Sequence, residues 1–297
     1  MSKIVIIGSG VVGQATGKGF IQAGHSVTFV DINPLIIEKL TKEGYQVENI
    51  HHINNIVWDV CIICLPTPLK NGAIDLSFFD NVMPHIGAQL AKSNSYQLIV
   101  VRSTIPPCTT EHFIIPSLEK YSKKRAGKDF GVCMNPEFLR QKTSEKDFLK
   151  PWSIVIGALD KRSGDALLEL YRYFIQNEKP AITITDLRTA EIIKYVQNLY
   201  NATKISFSNE IWTVCNKLEI DGDIVMSSVA QSAEGMWNAK YGTRCGYPFD
   251  GHCLPKDTRG FLAFAERELK VNMPLLEAVI TVNNSIEANN KTGAKLE

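Results

Sequence analysis

The chain has 297 residues, 32 of them Lys or Arg against 31 Asp or Glu, which is length enough for two domains of ordinary size and charge too balanced for a nucleic-acid or anionic-membrane surface. Any anionic ligand therefore needs a local site. Seven cysteines at no zinc-like spacing point to reduced thiols in a cytoplasmic protein and to no metal site; the start, MSKIVIIGSG, runs straight into a short strand where a secretory signal would need a longer apolar stretch, and no apolar run approaches the ~18 residues of a membrane span.

The first half alternates short apolar runs with helical patterns. KIVIIG, SVTFVD, DVCIICLP, YQLIVVRST and FGVCMNP predict strands bounded by Gly, Pro or polar residues, and their alternation with helices predicts a doubly wound parallel α/β sheet of Rossmann type. SIVIG and AITITD predict two more strands, on either side of a helical stretch from about 161 to 174. From Leu187 to Lys217 apolar residues recur at helical spacing without Gly or Pro, so one long helix is expected, with Asp186 as its N-cap. The domain boundary is expected at Asp186, giving an α/β domain over 1–186 and an all-helical domain over 187–297. GMWNAKYGTRCGYPFDGHCLPKD then reads as an ordered functional loop. Helices are expected to resume near Thr258 and again over Pro274 to Asn290.

Gly8, Gly10 and Gly13, with Val11 and Val12 between them, form GSGVVG directly after a strand and before a helix. In that context the glycines allow a tight turn, close approach of backbone to a pyrophosphate and close helix packing. Asp31 ends the second strand at the spacing of a carboxylate that accepts from ribose hydroxyls. Each glycine alone is an ordinary turn residue and Asp31 an ordinary strand-end cap; together they favour a dinucleotide. NAD is expected over NADP, because Asp31 repels a 2′-phosphate and no Arg follows it in DINP.

Other polar residues sit where chemistry or plain surface are both readings. Cys253 lies in GHCLPKD beside Lys256 and Asp257; most cysteines are inert core thiols, but a nearby cation raises the thiolate fraction. Lys194 and Asn198 are four apart and share a helix face, as a surface pair or as donors to a developing oxyanion. Glu137 in NPEFLR, Thr104 in RSTIPP and the run Pro66, Thr67, Pro68 follow three predicted strand ends, where open α/β sheets place their ligands.

In order along the chain, GSGVVG, LPTP, STIPP, NPEFLR, AEIIKYVQNLYNATKISFSNEI and GHCLPKDTRGF resemble the UDP-glucose and GDP-mannose dehydrogenases. The resemblance implies a four-electron oxidation of a nucleotide sugar at C6 using two NAD, with UDP-glucose the expected substrate and an N-acetylated UDP-hexose or GDP-mannose the alternatives. It implies that Cys253 is the nucleophile, carrying first a thiohemiacetal and then a thioester. Lys194 and Asn198 match the oxyanion pair. Glu137 and Thr104 match the groups that position hydrolytic water, and Asp257 the carboxylate that supports Lys194 and that water. Phe138, Leu139 and Arg140 fall in the segment over the sugar and diphosphate, Tyr247, Phe249 and Gly251 in the substrate loop, and Pro66, Thr67, Thr104 and Lys256 beside the cofactor. Pro248 and Asp250 stand where that family carries glycines, and His252 is similar to the branch acting on N-acetylated sugars. The family also has a further nucleotide-binding domain after the central helix, which the resemblance implies is absent here, so a truncated piece, a shortened homologue and half of a split enzyme served by a separate nucleotide-binding chain are the alternatives; a homodimer through the central helix is expected as well. Two rivals remain: a β-hydroxyacid dehydrogenase, which makes one hydride transfer and needs no thiol, and a non-catalytic NAD-binding homologue.

Overall fold

A computed structural model describes Met1–Thr292, apart from the side chains of Asn54, Asn55 and Thr292; the last five residues of the expected all-helical domain lie outside the described residues. Eight strands form the main sheet: β1 (Lys3–Ile7), β2 (Ser26–Asp31), β3 (Gln46–Asn49), β4 (Val60–Ile63), β7 (Gln97–Val101), β8 (Phe130–Met134), β9 (Ser153–Ala158) and β10 (Ala181–Thr185), while β5 (Leu69–Lys70) and β6 (Ala73–Ile74) make a separate hairpin. The order β10-β9-β8-β7-β4-β1-β2-β3 runs outward in two directions from β1 and β4, so the crevice of a doubly wound sheet opens at their C-terminal ends.

Helices cover both faces, and the sequence shows why. β4, β7 and β8 read VCII, QLIVV and FGVCM and are buried throughout, as strands covered on both sides must be. Alternate residues feed opposite layers. Val5, Ile7, Ile63, Val101 and Met134 pack with Phe79, Met83 and Ile86, whereas Ile4, Ile6, Ile62, Val100 and Cys133 pack with Phe20, Leu167 and Phe174. The helices of this part are α1 (Val11–Gln22), α2 (Pro34–Lys42), α3 (Ser77–Lys92), α4 (Ile115–Ser122), α5 (Ser144–Leu149), α6 (Lys161–Leu170) and α7 (Arg172–Glu178).

The doubly wound sheet expected from the sequence is present and mostly parallel, with a reversal at one edge. β8 and β9 pair antiparallel, and β10 follows β9 in parallel, so the last two strands run against the other six. The connection between β8 and β9 holds only the short α5 and a single 3-10 turn, less than the helical crossover that usually joins parallel neighbours. β3, the β5–β6 hairpin and the extent of DVCIICLP were not legible; the strand stops at Ile63 and leaves Cys64 beyond it.

The chain forms two compact units, Met1–Gln197 and Asn198–Glu297. The division falls inside α8 (Leu187–Lys217), whose entry at Asp186 is the boundary expected from sequence, because Leu187 and Ala190 on its first turns belong to the sheet's own core. The second unit continues with α9 (Gly222–Ser232), α10 (Glu234–Trp237), α11 (Cys253–Phe264) and α12 (Pro274–Thr292). α11 starts five residues before the expected Thr258, since Cys253 and Leu254 already take helical geometry ahead of Pro255. A small core of Val214, Ala265, Val271 and Met273 joins α8, α11 and α12. The Glu210 carboxylate accepts from Leu275 N (2.7 Å) and Leu276 N (3.1 Å), capping α12 from outside. Among the described residues no helix is long and apolar enough to cross a membrane, and no group of three or more His, Cys, Asp or Glu is placed to hold a metal ion.

Candidate active site

The sheet's crevice is a cleft of about 880 Å³ lined by Gly8, Gly10, Val11, Val12, Asp31, Ile32, Cys64, Leu65 and Pro66, among others. Its floor is the turn between β1 and α1, and the three glycines have three different physical reasons. Gly8 has φ +89°, and a Cβ there would lie 2.6 Å from the Cys64 carbonyl oxygen. A Cβ on Gly13 would lie 2.0 Å from the Gly8 carbonyl oxygen, so only glycine lets α1 close onto β1. Gly10 has nothing within 4 Å of an added Cβ: its open side is the space that a phosphate approaching the backbone would fill. Gly10 is also the N-cap of α1, and no side chain caps that terminus, so its amide groups and the positive end of its dipole are free for an anion.

Asp31 stands at the end of β2 with most of its acceptor capacity used. Oδ2 takes the Ser9 amide at 2.7 Å and Oδ1 takes the amides of Ile32 (2.8 Å) and Asn33 (2.9 Å). The carboxylate thus fixes the glycine turn to the strand end as well as facing the cleft. A carboxylate has about four lone-pair sites, so Oδ2 keeps one for a ribose hydroxyl. These residues fit a dinucleotide whose pyrophosphate lies over Gly10.

Beyond the cleft, Thr104 and Glu137 follow the adjacent strands β7 and β8, and Lys194 of α8 reaches Glu137. Glu137, just past β8, and Lys194, on the third turn of α8, form an ion pair at 2.9 Å, with side chains only 13% and 8% exposed. The other Glu137 oxygen accepts from Leu139 N at 2.7 Å, and the Phe138 ring lies 5.8 Å from the Lys194 ammonium. Thr104 follows β7, and its carbonyl accepts from the Thr67 hydroxyl at 2.7 Å, joining two predicted strand-end motifs. Arg140 grips Asp147 through a forked pair, Nη2 to Oδ1 at 2.7 Å and Nε to Oδ2 at 3.0 Å. Hydrogen bonds from the Arg140 side chain hold the Asp147 carboxyl well below the usual range. That commitment leaves Arg140 one free edge.

Asn198 and Cys253 belong to the second unit. Asn198 is exposed, one turn after Lys194 on the same continuous helix. Cys253 is exposed and is the first residue of α11, whose N-cap His252 makes no side-chain bond; a helix N-terminus stabilises negative charge. Lys256 and Asp257, expected to serve cofactor and water separately, pair with each other on the surface. The loop before Cys253 is ordered, as its composition predicts. Asn283 on α12 both donates to the Phe249 carbonyl (3.0 Å) and accepts from the Phe249 amide (2.7 Å). Gly251 has φ +79°, while Tyr247 is exposed and takes the Arg244 guanidinium against its ring and hydroxyl.

Residues 45–175 match the UDP-glucose/GDP-mannose dehydrogenase family, NAD binding domain, and residues 188–285 match the same family's central domain. Residues 4–79 also match ketopantoate reductase PanE/ApbA. GDP-mannose 6-dehydrogenase of Pseudomonas syringae pv. tomato is 37% identical over 304 residues, covering 95% of this chain and 68% of the relative. The chain belongs to the UDP-glucose/GDP-mannose dehydrogenase family. UDP-glucose 6-dehydrogenase of Haloferax volcanii is 32% identical over 302 residues, with 95% and 69% covered. Among solved structures, a ternary complex of GDP-mannose dehydrogenase from Pseudomonas aeruginosa has a TM-score of 0.88 at 33% identity, covering 98% of this chain and 71% of that one. A UDP-glucose dehydrogenase from Pyrobaculum islandicum has a TM-score of 0.71 at 29% identity, covering 96% and 68%. The chain thus spans about two thirds of the length of these relatives.

As a member of this family of NAD-dependent nucleotide-sugar dehydrogenases, the chain is an oxidoreductase with an NAD-binding domain, and the cleft over Gly10 is where that cofactor fits. Sequence reading missed the buried frame beneath the site. Arg102, 5% exposed, donates to Asn135 Oδ1 (2.5 Å) and to the Tyr171 hydroxyl (3.0 Å), and Asn135 donates to the Val155 carbonyl. Burial pushes the neighbouring Cys64 thiol up to about 12, against the pull of Arg102. The signals were in the quoted motifs: Arg102 stands two before Thr104 in RSTIPP and Asn135 two before Glu137 in NPEFLR.

Proposed function

We propose that this chain oxidises the C6 alcohol of a nucleotide hexose to the carboxylate, and that the sugar nucleotide is GDP-mannose. The sugar is carried by one observation, the TM-score of 0.88 to a GDP-mannose dehydrogenase against 0.71 to a UDP-glucose dehydrogenase. It replaces UDP-glucose, the substrate expected from the motifs, which becomes the second reading on the strength of the Haloferax relative.

The balance is one alcohol, one water and two NAD giving a carboxylate, two NADH and three protons. NAD, when bound, accepts a hydride in each oxidation. Cys253 supplies a thiolate that attacks the C6 aldehyde, and loss of hydride from the resulting thiohemiacetal leaves an acyl thioester. Lys194 and Asn198 donate to the oxygen that gains charge. Glu137, whose carboxylate is already pinned by Lys194 and Leu139 N, together with Thr104 orients the water that cleaves the thioester, and the Cys253 thiolate leaves. Arg140, Tyr247, Phe249 and Gly251 contact the substrate in this scheme, and Lys256 the cofactor. The expected homodimer and the expected nucleotide-binding partner chain belong to the same reading.

The test is kcat/KM for GDP-mannose and UDP-glucose side by side, followed by NADH formation. A preference of about tenfold or more for GDP-mannose, worth ~1.4 kcal/mol of transition-state binding, supports the assignment. The opposite preference returns the substrate to UDP-glucose.

A further inference from the structure

Glu191 is the one fully buried carboxylate of α8, at 0% exposure, and the reaction above does not use it. Among the described residues it forms no ion pair. Its partners are all on the segment after β7: Oε2 accepts the Cys108 amide at 2.5 Å, and Oε1 accepts both the Thr110 amide (2.8 Å) and the Thr110 hydroxyl (2.6 Å). Thr110 opens the helical run that continues into α4, and that run's N-cap, Thr109, makes no side-chain cap bond. Glu191 therefore supplies from another helix the negative cap that this N-terminus lacks.

The turn it holds is strained. Cys108 has φ +70°, a left-handed conformation that a side chain with a Cβ resists. That conformation aims the Cys108 amide at Glu191, so the carboxylate and the turn hold each other. The same segment carries Thr104, whose carbonyl is bonded by Thr67, and Ser103, whose hydroxyl donates to the Leu65 carbonyl at 2.8 Å. On α8, Lys194 is three residues on from Glu191 and is bonded to Glu137.

We infer that Glu191 is a positioning residue: it clamps the Thr104 segment to the helix that carries Lys194, and so fixes Thr104 against the Lys194–Glu137 pair. The inference rests on the proposed function for what the clamp is for, namely holding Thr104 and Glu137 ready for thioester hydrolysis. Glu191→Gln tests it, because whichever way the amide is turned, its NH₂ opposes one of the two backbone N–H groups.

The experiment compares the full wild-type chain with Glu191→Gln and Thr110→Val. Melting checks folding, NAD affinity is read by calorimetry, KM and kcat are measured with GDP-mannose and UDP-glucose, intact mass is taken during turnover, and amide exchange is followed. For Glu191→Gln the expected result is NAD affinity and KM unchanged, kcat down by about tenfold or more with acyl-enzyme accumulating on Cys253, and faster exchange reaching Ser103 to Ile105 and Thr67. Thr110→Val, which loses only the hydroxyl bond, shows a smaller fall in kcat and serves if Glu191→Gln does not fold. Unchanged kcat, or equal losses in kcat and in NAD affinity without acyl-enzyme, overturns the clamp. If wild type reduces no NAD with either sugar, the proposed function fails, and exchange then decides alone: acceleration confined to Cys108 and Thr110 overturns the clamp, whereas acceleration reaching Thr104 supports it.

Discussion

Residues up to Gln197 bury Phe20, Phe29, Phe79, Phe130 and Phe174 completely on the two faces of one sheet, whereas the residues from Asn198 leave Trp212, Trp237, Tyr241 and Val282 exposed and share a core built on Val214, Ala265, Val271 and Met273. The first unit holds its strand-end residues by deep packing and buried polar bonds. The second holds the Cys253 loop by a few hydrogen bonds to α12. Substitutions in the first unit should therefore trade stability against cofactor binding, and those around Cys253 should change chemistry with little change in stability.

The largest expected effect sharpens that contrast. Cys253→Ser removes the proposed nucleophile and is expected to lower kcat by on the order of 10⁴-fold, with an unchanged melting temperature and unchanged NAD affinity; a drop in either would mean that the loop is structural. Lys194→Met is expected to do both kinds of damage, since it leaves the Glu137 carboxylate buried without its cation. Such a loss costs ~3–5 kcal/mol of stability, read by urea unfolding, and kcat falls by about 10²–10³-fold.

The glycine turn separates packing from binding inside a single motif. Gly13→Ala forces a Cβ to 2.0 Å from the Gly8 carbonyl and is expected to cost ~1–3 kcal/mol of stability. Gly10→Ala meets nothing within 4 Å, so its melting curve should match wild type while NAD affinity weakens by about tenfold, or ~1.4 kcal/mol. Equal effects at the two positions would mean that the pyrophosphate does not lie over Gly10.

Two smaller effects probe titration. Cys64 is pushed up to about 12 and the fully buried Cys61 is pushed up as well, so at pH 8 iodoacetamide should label the exposed Cys253 and Cys245 and spare both; labelling of the half-buried Cys64 as fast as Cys253 would contradict its raised pKa. Asp147 has a folded-state pKa held below its unfolded value by Arg140, so the stability it contributes is present above about pH 4. It is lost as pH falls through the depressed folded value. Asp147→Asn should flatten the acid limb of the stability–pH curve, and an unaltered limb would contradict the forked pair.

How much was readable in advance follows the same division. The strands of the first unit were legible because strands buried on both faces are continuous apolar runs, and the glycine turn because each glycine answers a separate steric demand. β3, reading QVEN with alternate residues exposed, carries no such signal, and neither does the reversal of β9, which depends on the length and path of one connection. At the site, the motif residues Glu137, Thr104 and Lys194 stood out, but their supports did not. Glu191 and Arg102 look like surface charges in a sequence, and only the fold shows that one caps a strained turn and the other lies under Asn135. α11 began earlier than expected because Pro255, which suggests a loop, is also at home in the first turn of a helix.

Whether this chain takes a nucleotide hexose through both oxidations with its own residues is read from the number of NADH formed per sugar nucleotide consumed, taken with GDP-mannose and the purified chain, with the carboxylate product counted by mass. Two NADH per GDP-mannose are expected, with a product bearing one more oxygen and two fewer hydrogens. One NADH per sugar with an aldehyde or ketone product would contradict the double oxidation.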